Sequence, residues 1–395
     1  MNKQDYSTPI RDQVYALPKI VDQQLESCFD GEKLHSLMSM AEIFDVRKIY
    51  VVGCGDSWVA GGAMEPALRK YCDTFGCIVM DPMQFTRFTS KHDIGIGEPN
   101  SPLVIGISAG GGTARVVEAL KKADEIGAFP ILLTQNPNSP AAEAARRVFV
   151  LDTPMEDHDL PGLKNYFGSL MGLIAIACRM GHVRGVLPPT GVDEFKKAIS
   201  SYVHSYEDVL DRMDDQMFEL AQTWKDFEYF DFVGSGTELY SAIFGLEKFY
   251  ECTGVLSNYD DAEDWCHIDF FLKNPEKIGT VFMVDVNDAT TSRTIETIQA
   301  ALGIGRPVLV VTNGKKEMFP EGATVCELPQ TPEGFEWLMP LMDYAPVSLL
   351  AGYCSSLAGR EFFNSVNTTD WEWRSTPWNG PGTMTIRTSK IEIHA

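Results

Sequence analysis

PLVIGISAGGGTARVVEALKKADEIG, residues 102–127, runs from an apolar stretch through three consecutive glycines into a segment whose apolar residues recur at helical spacing. The β-branched run PLVIGIS reads as a buried strand, and TARVVEALKKADEIG reads as an amphipathic helix. Strand, glycine turn and helix make the repeating unit of parallel sheets covered by helices on both faces. The same order recurs in VRKIYVVG (46–53) followed by SWVAGGAMEPALRKY (57–71), and apolar runs return at CIVMD (77–81), PILLTQN (130–136) and RVFVLD (147–152).

A charged segment free of Gly and Pro, from Asp193 to Phe227, has helical period, and after it the scheme begins again. FDFVGSG (230–236) leads into ELYSAIFGLEKFYECTG (238–254), GTVFMVDVN (279–287) into TIETIQAALGIG (294–305), and PVLVVTN (307–313) closes the run. VVGCGDS parallels FVGSGTE, and ILLTQN parallels VLVVTN, so one α/β module occurs twice. The predicted fold is α/β, with two doubly wound parallel-sheet modules in tandem. The expected order is an N-terminal arm (1–40), first module (41–188), interdomain helices (189–228), second module (229–365) and an irregular, tryptophan-bearing C-terminal tail (366–395).

Composition narrows the function classes. With 33 Lys and Arg against 55 Asp and Glu, the net charge of −22 argues against nucleic acid or an anionic membrane as partner. Nine scattered cysteines without a CxxC pair point to reduced thiols and neither a disulfide framework nor a zinc ribbon. The opening MNKQDYSTPIRDQ has no signal-peptide core, and no membrane-spanning run is evident, so a soluble cytoplasmic protein is expected.

Open parallel sheets bind ligands beyond the carboxyl ends of their strands, where helix N-termini offer free N–H groups. Gly53–Ser57 and Ser108–Thr113 both fall there, with hydroxyls on Ser57, Ser108 and Thr113 beside Gly110, Gly111 and Gly112. Glycines at such a turn also serve chain geometry alone. Neither loop matches GxxxxGK[ST] or a clean GxGxxG, which demotes a nucleotide cofactor. No spacing such as HExxH occurs, so neither a metal nor a cofactor is expected.

In the second module, Lys248 and Glu251 are three apart and share a helix face, which on spacing alone also describes an ordinary exposed ion pair. His267 follows Glu251 by sixteen residues, and Lys390 stands five residues from the end of the sequence.

These features together, from about Tyr6 onward, resemble the double SIS (sugar isomerase) domain family, which includes the isomerase half of glucosamine-6-phosphate synthase and the fructosamine-6-phosphate deglycases. The resemblance implies flavodoxin-like modules and a sugar-phosphate cradle formed by Cys54, Gly55, Asp56 and Ser57 with Ser108, Ala109, Gly110, Gly111 and Thr113. Ala109 and Gly110 stand where a glutamine and a serine are usual, and Asp56 replaces a threonine, so side-chain donors are lost and a carboxylate is gained. The resemblance further implies Glu251 as catalytic base, His267 as acid/base, and Lys248 and Lys390 as catalytic partners. Asp264 takes the place of a glutamate, and Ile268–Asp269 follows His267 in place of Gly-Pro. His158 and Lys164 are weaker candidates for the mouth of the first module, and Trp371, Trp373 and Trp378 for a pocket wall.

Proton transfer between C1 and C2 of an open-chain sugar needs a carboxylate reaching both carbons and a second group for the oxygens. Three functions fit: a deglycase or deaminase acting on an aminosugar or Amadori compound, an aldose/ketose isomerase, or a sugar-binding regulator. Glu251, His267 and Lys390 together argue against the regulator, since a sensor needs only the cradle. Met1 is followed by Asn2 rather than a catalytic cysteine, so ammonia or an amine is expected to enter or leave directly. Relatives place the active site between subunits, which implies a homodimer or a tetramer of dimers.

Overall fold

The computed structural model describes residues 1–94, 102–154, 160–364 and 383–394. His158, Trp371, Trp373 and Trp378 lie outside the described residues. Two units emerge, one of residues 20–154, 164–197 and 383–394, the other of residues 1–19, 160–163 and 198–364.

The first unit is built on β1 (Ile49–Val52), β2 (Cys77–Met80), β3 (Leu103–Ile107), β4 (Phe129–Thr134) and β5 (Arg147–Val150), all parallel in the order β2-β1-β3-β4-β5. Every residue of β1, β3 and β4 is buried, as continuous β-branched runs require when helices cover both faces. Tyr50, Val52 and Val104 share one core cluster with Ala119 and Ala123 of the helix Ala114–Glu125, whose small side chains permit close approach. The register pairs Val52 with Gly106, so the turns after β1 and β3 leave the sheet almost level with each other.

The second unit holds β6 (Tyr229–Val233), β7 (Leu256–Asp260), β8 (Ile278–Val284), β9 (Val308–Thr312) and β10 (Thr324–Glu327), in the order β10-β9-β8-β6-β7. Read from its other edge, this is the same winding as the first sheet. The internal duplication expected from the paired motifs is therefore present as topology. In each sheet the strand order reverses direction at one place, β1/β3 and β6/β8, the position at which doubly wound folds open a crevice.

The interdomain segment folds as helices Gly191–His204 and Leu210–Trp224, separated by a tight turn at Ser205–Asp208. Asp214, fully buried on the second of these, accepts hydrogen bonds from Lys3 at 2.6 Å, Arg11 at 3.1 Å and Tyr353 at 2.6 Å. Burial opposes its charge, but those three donors outweigh it and hold the carboxyl below its usual range.

One expectation is corrected. The helix Leu163–Val183, 21 residues with a mean hydropathy of 1.2 in its most apolar window, is long and apolar enough to cross a membrane. That window is 83% buried in the protein itself, with Leu170, Met171, Leu173 and Ile174 fully enclosed, so its hydropathy belongs to a core helix.

Candidate active site

In the first unit the two glycine turns stand side by side at the β1/β3 crevice. Gly55 precedes the helix Asp56–Cys72 with φ 53° and ψ −133°, which places Asp56 and Ser57 in that helix's first turn. Beyond β3, Ser108 is buried and its hydroxyl lies 3.4 Å from that of Thr113, which precedes the helix Ala114–Glu125. Gly111 has φ 67°, and a Cβ there would fall 1.9 Å from Ser139 Oγ, so only glycine fits. The turn is tied from behind: the Ala109 carbonyl accepts from Thr134 Oγ1 and the Gln135 amide, and the Gly111 carbonyl from the Ala141 amide. With carbonyls held toward β4, the free N–H groups of the first helical turn make this side suited to an anion.

The terminal segment docks on this unit. Arg387, in the short helix Thr383–Thr388, lies across Gly112, its Cγ and Cδ 3.6 Å from where a Cβ on that glycine would sit. The Lys390 carbonyl accepts from Arg115 Nη2, while its ammonium is 82% exposed and pairs with Glu392. Pairing with Lys390 and then Arg87 pulls the Glu392 carboxyl down to about 2.

In the second unit the helix Glu238–Thr253 carries Lys248 and Glu251, and Gly254 ends it in the left-handed region with φ 67°, its amide donating to the Tyr250 carbonyl. Lys248 is only 1% exposed, its ammonium 2.5 Å from Glu251 Oε2 and 4.7 Å from the centroid of the Phe244 ring. Glu251 keeps 29% of its side chain in solvent. An ordinary surface pair leaves both heads wet; here the cation is buried and the carboxylate faces outward, a fixed carboxylate with a buried counter-charge.

His267 closes a short turn at Asp264–Cys266. It is 64% exposed, and its Nε2 lies 3.0 Å from Glu263 Oε1; Glu263 also pairs with Arg293 at 2.6 Å. The loop is anchored by Trp265, whose Nε1 donates to Asp231 Oδ2 at 2.8 Å, and Arg306 reaches the same oxygen at 3.1 Å. Burial, then the neighbouring Asp269 carboxylate, push Asp231 up to about 7 in spite of these donors. Asp269 accepts both hydrogen bonds of the Asn258 amide, and its carbonyl accepts from Arg306, so the departure from Gly-Pro after His267 supplies an anchor.

Two features escaped the motif reading. Asp260, Asp261 and Asp264 bring one oxygen each within 4.8 Å of one another, a grouping that spacing rules such as HExxH do not detect; Asp261 Oδ1 already caps the Glu263 and Asp264 amides. The β6/β8 crevice opens a cavity of about 170 Å³ lined by Ser235, Thr237, Glu238, Asp285 and Asp288 among others. Glu238 occupies the place of Ser57 in the paired motifs VVGCGDS and FVGSGTE. Burial raises its carboxyl well above the usual range and pushes its neighbour Asp343 up to about 6. The second crevice is thus acidic where the first is lined by hydroxyls and glycine.

A family model described as SIS domain matches residues 99–177, which include β3, the glycine turn and β4. That segment of the chain is similar to the SIS domain. The chain is 24% identical over 313 residues to a glutamine–fructose-6-phosphate aminotransferase (isomerizing) of Thermotoga maritima, covering 79% of this chain and 49% of the relative. It is 21% identical to one of the same description from Pseudomonas syringae pv. tomato, covering 91% and 58%. The chain thus spans about half the length of the curated relatives it matches. Among solved structures it superposes on the C-terminal domain of glucosamine-fructose-6-phosphate aminotransferase from Francisella tularensis with a TM-score of 0.77 at 18% identity, covering 91% of this chain and 99% of that one. A glucosamine-6-phosphate deaminase from Thermotoga maritima superposes with a TM-score of 0.59 at 12% identity, covering 87% and 96%. The tandem SIS fold is common to them.

Proposed function

We propose that this protein is a sugar isomerase (SIS) family enzyme that processes a phosphosugar by moving a proton between C1 and C2 of an open-chain aminosugar or Amadori compound, as a deglycase or deaminase. The observation that carries the proposal is the buried Lys248 ammonium beside the outward-facing Glu251 carboxylate. Glu251 takes the proton from one carbon and returns it to the other, and Lys248 holds the carboxylate in place and in its charged form. His267, exposed and held by Glu263, serves ring opening, or protonates the nitrogen as water adds to the imine left by the proton transfer and the C–N bond breaks to release the amine. Lys390 assists at the sugar oxygen. The glycine turns of the first unit bind the phosphate through backbone N–H groups and the hydroxyls of Ser57, Ser108 and Thr113.

Aldose/ketose isomerisation by the same Glu251 shuttle is the second reading, favoured by the isomerizing relatives, which carry that word in their descriptions. The two separate on incubating the protein with fructosamine 6-phosphates and with fructose 6-phosphate, then assaying for free amine and for aldose. Glu251→Gln is expected to lose turnover by about 10²–10⁴-fold, the usual contribution of a general base, with ligand binding intact. Wild-type protein that binds these sugars and converts none would sink the enzymatic reading in favour of a regulator.

A further inference from the structure

We infer that Glu118 is a positioning residue that fixes the terminal segment, and with it Lys390 and Arg387, against the 108–113 turn. The inference rests on the reading that Lys390 and this turn serve one reaction. Glu118 is fully buried in the helix Ala114–Glu125, and its carboxylate lies between two guanidinium groups. Arg115 Nη1 is 2.5 Å from Oε2, and Arg87 approaches at 2.9 Å through Nε and 3.2 Å through Nη2.

The outer edges of the same arginines grip the terminal segment. Arg115 Nη2 donates to the Lys390 carbonyl and to Ser389 Oγ at 3.3 Å. Arg87 Nη1 donates to Glu392 at 2.7 Å and lies 2.7 Å from His394 Nε2. Glu118 Oε2 itself accepts the Glu392 amide at 2.8 Å. One buried charge therefore aligns two cations, and those cations hold residues 389, 390, 392 and 394.

Without Glu118 the two guanidinium groups repel each other at short range in a site poor in water, and neither keeps its orientation. Arg387, three residues before Lys390, owes its place across Gly112 to the same hold. A guanidinium beside the N-terminus of a helix opposes the helix dipole, an arrangement relieved when an anion lies between them. Glu118 touches no reacting atom in this scheme; it acts through the arginines.

The test is Glu118→Gln, which keeps an acceptor for the Glu392 amide and removes the charge. Trypsin cleavage of the folded protein after Arg387 and Lys390, followed by mass spectrometry, is expected to accelerate at least tenfold. Turnover of fructosamine 6-phosphate should lose kcat to the same extent as Lys390→Ala. Glu392→Gln, an exposed change that cannot disturb the core, should reproduce the cleavage effect in part, and the charge exchange Arg87→Glu with Glu392→Arg should reverse it relative to Arg87→Glu alone. Unchanged cleavage in a folded Glu118→Gln protein overturns the inference, and so does faster cleavage with kcat unaltered. A released segment in a protein whose wild type shows no sugar turnover supports Glu118's hold on the segment and overturns the proposed activity instead.

Discussion

Lys248 tests what a buried counter-charge does for a base. Lys248→Met keeps most of the stem packed and strips the ammonium from Glu251, and kcat is expected to fall by about tenfold or more with KM little changed, because the carboxylate loses its orientation and its counter-charge. Equal kcat in steady-state assays of the two proteins would refute the pairing. Asp231 is a different case: Arg306 is wholly enclosed with it, so Asp231→Ala strands a guanidinium in the core. The loss should be about 3–5 kcal/mol in urea denaturation, and the Trp265 loop carrying His267 should loosen with it. Spacing put Lys248 and Glu251 on one helix face, because positions three apart share it, whereas His267 was singled out by the family resemblance. Spacing did not reveal that the cation end of the pair was buried, since periodicity names a face and not what covers it.

The glycine turns and the strands before them were readable at the level of elements, since continuous β-branched runs have few other uses in a chain of this composition. β7 (LSNYD) and β10 (TVCE) were not, because edge strands leave one side to solvent and carry polar residues that mimic loop. The acidic lining of the β6/β8 crevice was visible only as one letter, Glu238 in FVGSGTE, whose partner Asp343 lies 105 residues further on. The Glu238–Asp343 pair makes a prediction with a definite sign. Carboxyls raised in the folded state bind a proton that the unfolded chain releases near pH 4, so stability is lost as pH climbs from there through about 6 and above. Glu238→Gln removes one of the two acids and should narrow the difference in melting temperature between pH 5 and pH 8. An unaltered difference would show that Glu238 is not raised in the folded protein.

Across the whole molecule, the duplicated winding was predictable and the chemical divergence of its two crevices was not, because topology follows from hydrophobic pattern while a crevice is set by a few side chains from distant segments. Asp214 illustrates such long reach. Its carboxyl is lowered, so its contribution is present above the ordinary carboxyl range and fades as pH falls below it. Asp214→Asn should cost about 1–3 kcal/mol at pH 7, with wild type and variant drawing together in thermal melts as pH falls below the ordinary carboxyl range. The same contact has a consequence for biosynthesis. Lys3 and Arg11 find their partner 211 and 203 residues later. At ribosomal speeds of about 5–20 residues per second, Lys3 and Arg11 wait roughly 10–40 s for the acid that will hold them. Until then these two cations lack the partner they have in the fold, and the unit they belong to cannot close before Asp214 has been made.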